Sequence, residues 1–211
     1  MAIITQLLRF PFSRQDELVV QRALSLNKVL AFPTETCYGL GGNALSKEVQ
    51  DSVFLLKQRS KKKPLLLLVM PEWLPLLCQW DDSRIDELMK TFWPGPLTLI
   101  LAANPKLPEH LRNEDGTLAV RYSSSTVAQH LIELGNCPII GTSANLSGRP
   151  SCSTANEVEE QLNNRLELII DGGKTAGNEV STIVNCMTEP FNLIRQGVIA
   201  LTELNQVCEV H

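Results

Sequence analysis

An α/β or mixed α+β domain is what this sequence predicts, and three observations lead there. Apolar strand-like runs alternate with amphipathic helical patterns along the chain. Its 211 residues, 44% of them hydrophobic, suffice for one sizeable core and leave too little for two full domains. The apolar run Val29 to Ala31 leads into Phe32-Pro-Thr-Glu-Thr-Cys-Tyr-Gly-Leu-Gly-Gly42, where Pro33 and three glycines within four residues demand a sharp turn. Thr34, Glu35 and Thr36 are thereby presented at a strand's end, where α/β folds usually bind ligands; the same side chains could equally cap a neighbouring helix.

In chain order, Glu17 to Leu26 spaces Val19, Val20, Ala23 and Leu24 along one helical face, and the strand Val29 to Phe32 follows. The glycine stretch is expected to leave the strand conformation. Ser46 can cap a helix that turns Val49, Val53, Phe54 and Leu56 inward until Lys57. Leu65 to Met70, and Leu97 to Ala103 after Trp93-Pro-Gly-Pro96, read as strands buried on both faces, with a helix at Ile85 to Phe92 between them. Thr117 to Tyr122 is a strand, Ser125 caps a helix through Leu134, and Pro138 to Gly141 is a short strand opening into a polar loop. Thr154 and Glu157 form a capping box for a helix to about Arg165. Strands at Leu166 to Ile170 and Ser181 to Asn185 close the pattern, and the tail after Leu201, which has none, is expected to be loosely attached.

Composition narrows the chemistry. Six scattered cysteines without a Cys-x-x-Cys pair or a nearby histidine argue for reduced thiols of a cytoplasmic protein and against a zinc site. No apolar run is long enough to span a bilayer, so a membrane role is not expected. A net charge of −4 argues against a generally basic surface while permitting a local basic cleft. The histidines, His110, His130 and His211, stand apart from one another, so no serine, histidine and acid constellation suggests itself. Cys37 is expected to be a small buried filler, and Trp73, Trp80 and Trp93 to be packing residues.

Two segments carry charge or polarity worth chemistry. Lys57-Gln-Arg-Ser-Lys-Lys-Lys63 places five cations in seven positions at a helix C-terminus, where the dipole favours them; a solvated face explains Lys61 and Lys62. Lys57 and Arg59, nearer the sheet edge, could clamp phosphate oxygens. Gly141-Thr-Ser-Ala-Asn-Leu-Ser-Gly-Arg149 follows a strand end with hydroxyls and an amide, suited to a self-bonded turn or to a nucleotide. Neither segment matches a glycine-rich phosphate loop.

With these residues in view, Phe32-Pro-Thr-Glu-Thr-Cys-Tyr-Gly-Leu-Gly41, Lys57-x-Arg59, Trp93-Pro-Gly-Pro-Leu-Thr98, Leu118-Ala-Val-Arg121 and Thr142-Ser-Ala-Asn-Leu-Ser-Gly148, in this order, resemble the YrdC family of threonylcarbamoyl-AMP synthases. The resemblance spans about residues 12 to 198 of a chain expected to be a single YrdC-like domain over residues 1 to 211, of the short type. It implies a twisted, mostly parallel mixed sheet flanked by helices around a large basic cavity. It also implies a nucleotidyltransferase that joins L-threonine, bicarbonate and ATP, with Mg²⁺ arriving on the ATP, and releases pyrophosphate. The product would serve threonylcarbamoyladenosine formation in tRNA through a separate transferase complex.

By this resemblance Lys57 and Arg59 face the triphosphate as the catalytic cations, and Thr34, Arg121 and Ser181 meet threonine. Arg59, Ser143, Asn145 and Arg195 contact the nucleotide, with Thr117 and Ser151 as weaker candidates and no protein ligand for a metal. Where some members carry a histidine after the lysine and arginine, this chain has about Leu68. The alternative is a binder of double-stranded RNA or tRNA using the same cavity without catalysis; 5% aromatic content counts against sequence-specific reading. The intact Ser143-Ala-Asn145 loop separates the chain from paralogues that have lost it.

Overall fold

The computed structural model describes residues 5–60, 65–162, 165–176 and 179–211. The chain opens with β1 (Gln6–Arg9) and α1 (Arg14–Ser25), whose capping box is made by Ser13 and Asp16. Then come β2 (Leu30–Pro33), β3 (Tyr38–Gly41) and α2 (Lys47–Lys57), capped by Ser46 as expected. Next follow β4 (Leu66–Leu68), α3 (Leu74–Leu77), β5 (Cys78–Gln79), α4 (Ser83–Phe92) and β6 (Leu97–Ala103). β7 (Thr117–Arg121), α5 (Thr126–Gly135), β8 (Ile139–Ile140) and β9 (Thr142–Ser143) form the next group. The chain ends with α6 (Ala155–Leu162), β10 (Leu168–Asp171), β11 (Thr182–Asn185), β12 (Asn192–Arg195) and α7 (Leu201–Leu204).

The strands form two sheets, ordered β1-β10-β2-β3-β9 and β12-β11-β6-β7-β4-β8, with β5 also paired to β6. Parallel pairing joins β1 to β10, β10 to β2, β11 to β6 and β4 to β7, while the other pairs run antiparallel. The α/β expectation holds, but the sheets are mixed rather than mostly parallel; the connections from β2 to β3 and from β11 to β12 are too short for a parallel crossover.

Alternation of side chains buries both faces of the central strands of the first sheet. Leu30, Phe32, Leu168 and Ile170 pack under α1 and α5 with Val20, Leu24, Val127 and Leu131, while Ala31 and Ile169 enter the other core. The second sheet differs. Leu67, Leu97, Leu99, Leu101, Leu118, Val120 and Val184 point into the core, and their alternates, Leu66, Thr98, Ile100, Ala119, Arg121 and Ile183, line a cavity. The reading of Leu97 to Ala103 as buried in core on both faces is therefore corrected, since its second face is cavity wall. Leu65 to Met70 is buried on both faces as expected, with Leu65, Leu67 and Val69 in one core and Leu68 in the other, and Leu66 alone among them reaching the cavity.

The glycine stretch also departs from expectation. The turn occupies Thr34 to Cys37, and Tyr38-Gly-Leu-Gly41 returns as a strand between β2 and β9. Glycine is needed there for close approach: a Cβ on Gly41 would lie 1.6 Å from the Ile140 carbonyl oxygen, where β8 passes into β9 and ties the sheets together. Gly41→Ala is expected to cost on the order of 4 kcal/mol, or roughly 10 °C in Tm for a chain of this size. A melt within 2 °C of wild type, by about the resolution of such a scan, would contradict this account of the seam.

Two further expectations are corrected. Glu157 accepts from the Ser153 amide at 2.6 Å while Thr154 Oγ1 accepts from the Glu157 amide, so the box is split over two residues. The tail is docked: Leu204 and Val210 are buried, and the His211 amide donates to the Phe191 carbonyl at 2.9 Å. No helix among the described residues is long and apolar enough to cross a membrane.

Candidate active site

Thr34, Arg59, Arg121, Ser143, Ser181 and Arg195, drawn from across the sequence, line one cavity of about 290 Å³ between the two sheets. That volume sits at the lower end of the range of ~300–1,000 Å³ for small-molecule sites. The seven-stranded sheet supplies a floor that is apolar at Leu66, Ile100, Ala119 and Ile183, with β12 adding Ile194. The opposite wall is the turn after β2 together with the Thr142–Ser143 segment.

The turn holds itself. Thr34 Oγ1 donates to the Cys37 carbonyl at 2.7 Å and accepts from the Thr36 and Cys37 amides, each at 3.3 Å. Serine and threonine hydroxyls close turns in this way. Cys37 is buried as expected, and burial pushes its thiol up.

The Lys57-x-Arg59 pair divides in two. Gln58 ends α2 in the left-handed region at φ 50°, which reverses the chain between the two cations. Arg59 enters the cavity, half-buried, and burial lowers its pKa. Lys57 is 1% exposed and lies beneath the wall, where Nζ donates to the Ser143 carbonyl, to the Asn145 carbonyl at 2.8 Å and to Asn145 Oδ1 at 3.4 Å. The Asn145 amide nitrogen donates to the Leu146 and Arg149 carbonyls at 2.9 and 2.7 Å. Lys57 and Asn145 thus anchor the Ser143 loop, and neither is a cavity-lining residue.

Burial and, next, the charge of Arg59 push the Lys57 ammonium down to about 8 from 10.5. Between these values the unfolded chain binds the proton that the folded chain has released, so this lysine's contribution makes stability rise with pH across the window. Denaturant titrations should show wild type gaining on Lys57→Met as pH goes from about 8 to 10.5; a constant difference would contradict the assignment.

Arg195 spans the far wall: its Nη2 donates to the Ser181 carbonyl at 2.9 Å and to Ser181 Oγ at 3.1 Å, and Nε donates to that same carbonyl at 3.1 Å. Ser181 Oγ lies 2.8 Å from Thr98 Oγ1. Burial lowers the Arg195 pKa first, and repulsion from Arg121 and Arg59 adds to it. Burial likewise lowers that of Arg121, 3% exposed, against the pull of Glu35.

Other expected residues fall outside the cavity lining. Thr117 begins β7, four residues and about 13 Å from Arg121, with its hydroxyl bonded to Asp115 and Asn113. Ser151 is not among the residues that line the cavity. Leu68 is buried against Gly141, and Leu66 is the β4 side chain that reaches the cavity. Lys61, Lys62 and Lys63 lie outside the described residues. Thr36, placed on the turn by the sequence, also lines the cavity, whereas sequence reasoning gives no contact to Thr98 and Thr142, present in the quoted motifs, and does not foresee the apolar floor.

A roomier cleft of about 570 Å³ beside α2 is lined by Asp51, Glu109, Glu114 and Asp115 along with Lys47 and Arg112, which suits a polyanion poorly. Among the described residues the smaller cavity has three guanidinium groups and no carboxylate in its lining, a chemistry that suits an anionic ligand of mixed polarity.

Fold and cavity together define an α/β domain with an arginine-lined cavity between its two sheets. The Sua5/YciO/YrdC family model, described as "Telomere recombination", matches residues 22–197, and the chain belongs to this family. It is 39% identical over 181 residues to a threonylcarbamoyl-AMP synthase of Pyrococcus abyssi, covering 85% of this chain and 53% of the relative. A synthase of the same name from Vibrio campbellii is 34% identical, with 84% of this chain and 97% of the relative covered. The solved structure of P. abyssi Sua5 complexed with L-threonine superposes with a TM-score of 0.90 at 35% identity, over 99% of this chain and 62% of that one. This chain thus spans little more than half the length of the archaeal relative and nearly all of the Vibrio one.

Proposed function

We propose that the chain is a cytoplasmic threonylcarbamoyl-AMP synthase, converting L-threonine, bicarbonate and ATP into threonylcarbamoyl-adenylate and pyrophosphate for tRNA modification. The observation that carries this reading is the convergence of Arg59, Arg121 and Arg195 on one partly apolar cavity. Repulsion among them is relieved by an anionic ligand, and the match to synthases supports its identity.

In this reading the threonine amine attacks the bicarbonate carbon, a C–N bond forms and water departs. A carbamate oxygen then attacks the α-phosphorus, an O–P bond forms, and the bond to the β-phosphate breaks with release of pyrophosphate. Both steps gain most from positioning and charge neutralisation. Arg121, Ser181 and the Thr34 turn hold the threonine end, while Arg59, Arg195 and Ser143 hold the nucleotide. Lys57 and Asn145 set the height of the Ser143 loop. Guanidinium and hydroxyl donors fit a Mg²⁺ ion carried by the phosphates and water rather than one caged by carboxylates. The adenylate would pass to a threonylcarbamoyl transferase complex.

The test is incubation with threonine, bicarbonate, ATP and Mg²⁺, following pyrophosphate and the adenylate. Omitting threonine should stop the signal; pyrophosphate release that ignores threonine would sink the reading.

A further inference from the structure

Arg121 reaches the cavity from the end of β7 with a partner that does not line it. Glu35 Oε1 lies 3.6 Å from Arg121 Nε, an ion pair too long for a hydrogen bond. Both atoms are buried, and among the described residues neither has a hydrogen-bond partner. Such atoms are rare in native structures and call for an explanation. Glu35 is not loose: its Oε2 accepts from Ser123 Oγ, which itself accepts from the Ser125 amide at 3.2 Å. Ser125 Oγ donates to the Pro33 carbonyl at 2.8 Å, and Gln129 Nε2 donates to the Ser123 carbonyl at 2.8 Å. The turn after β2 and the loop after β7 are thus laced together, with Glu35 fixed at the seam beside Arg121. Among the described residues the cavity lining holds no carboxylate, and Glu35 is the carboxylate that counters Arg121 from behind it.

Resting on the synthase reading above, we infer that Glu35 is a positioning residue that aims Arg121 at the carboxylate of the amino-acid substrate. The gap between Nε and Oε1 closes to a charge-assisted hydrogen bond with a shift of about 0.7 Å, so ligand binding at the other guanidinium nitrogens can seat the side chain against Glu35. The carboxylate also tempers the positive cavity, so it works for threonine and against the polyanionic nucleotide.

That opposition supplies the test. In Glu35→Gln, the threonine KM should rise about tenfold, the size of one lost charge-assisted contact, while the ATP KM stays level or falls. Turnover at saturating threonine should hold within about threefold. Ser123→Ala, which frees Glu35, should shift the threonine KM the same way by less. An unchanged threonine KM, or threonine and ATP weakening together with a drop in melting temperature, would overturn the assignment. If wild type makes no threonine-dependent pyrophosphate, the synthase reading falls, and calorimetry of threonine binding decides the role of Glu35: tenfold weaker binding to the variant supports it, equal binding or none to wild type removes it.

Discussion

Arg59→Ala is expected to abolish measurable pyrophosphate release while leaving a folded protein. The side chain is half-buried and enters the cavity beyond the end of α2, so its removal leaves the helix and its cap in place. What is lost is a preorganised cation in a site where charge is screened little. Removing one such donor commonly costs about 10²–10³ in rate. The melting temperature should stay within a few degrees, since relief of repulsion with Arg195 offsets lost packing. Pyrophosphate release at the wild-type rate would refute the role of Arg59 and weaken the synthase reading with it.

Lys57→Met should differ from its neighbour in kind. Methionine keeps the length of the side chain but leaves the Ser143 carbonyl, the Asn145 carbonyl and Asn145 Oδ1 without their shared donor. Buried acceptors stripped of a charged donor cost about 1–3 kcal/mol or more, so denaturant unfolding should show a loss of roughly 3 kcal/mol. Activity should fall with it, because Ser143 is carried on that loop. If Lys57→Met unfolds like wild type and keeps its activity, the anchoring role is wrong, and a direct phosphate contact by Lys57 would not rescue it.

Much of the fold was legible because its causes are local. Ser46 and Ser125 announce α2 and α5, since a hydroxyl at the cap satisfies an amide three residues on. Leu97 to Ala103 reads as a strand, and is one with those bounds, because its run of apolar residues sits behind a proline corner. The residues of β1, β12 and α7 gave no such signal, being short and held by partners distant in sequence, as the pairing of Gln6 with Leu168 illustrates. The glycines of β3 misled for a related reason. Their need is set by the Ile140 carbonyl pressing on Gly41, a neighbour no local pattern can reveal.

By itself, the sequence determined the alternation of strand and helix, the ends of α2 and α5, and a set of ordered motifs specific enough to name a family. Those follow from short-range propensity, capping and side-chain period, or from residue identity alone. Tertiary structure decided which face of the second sheet became cavity wall, and that Lys57 turns under the loop while Arg59 turns into the cavity. It also set Glu35 behind Arg121. Each of these depends on contacts between distant residues, 86 apart for Lys57 and Ser143, whose geometry exists only once both sheets have closed on each other.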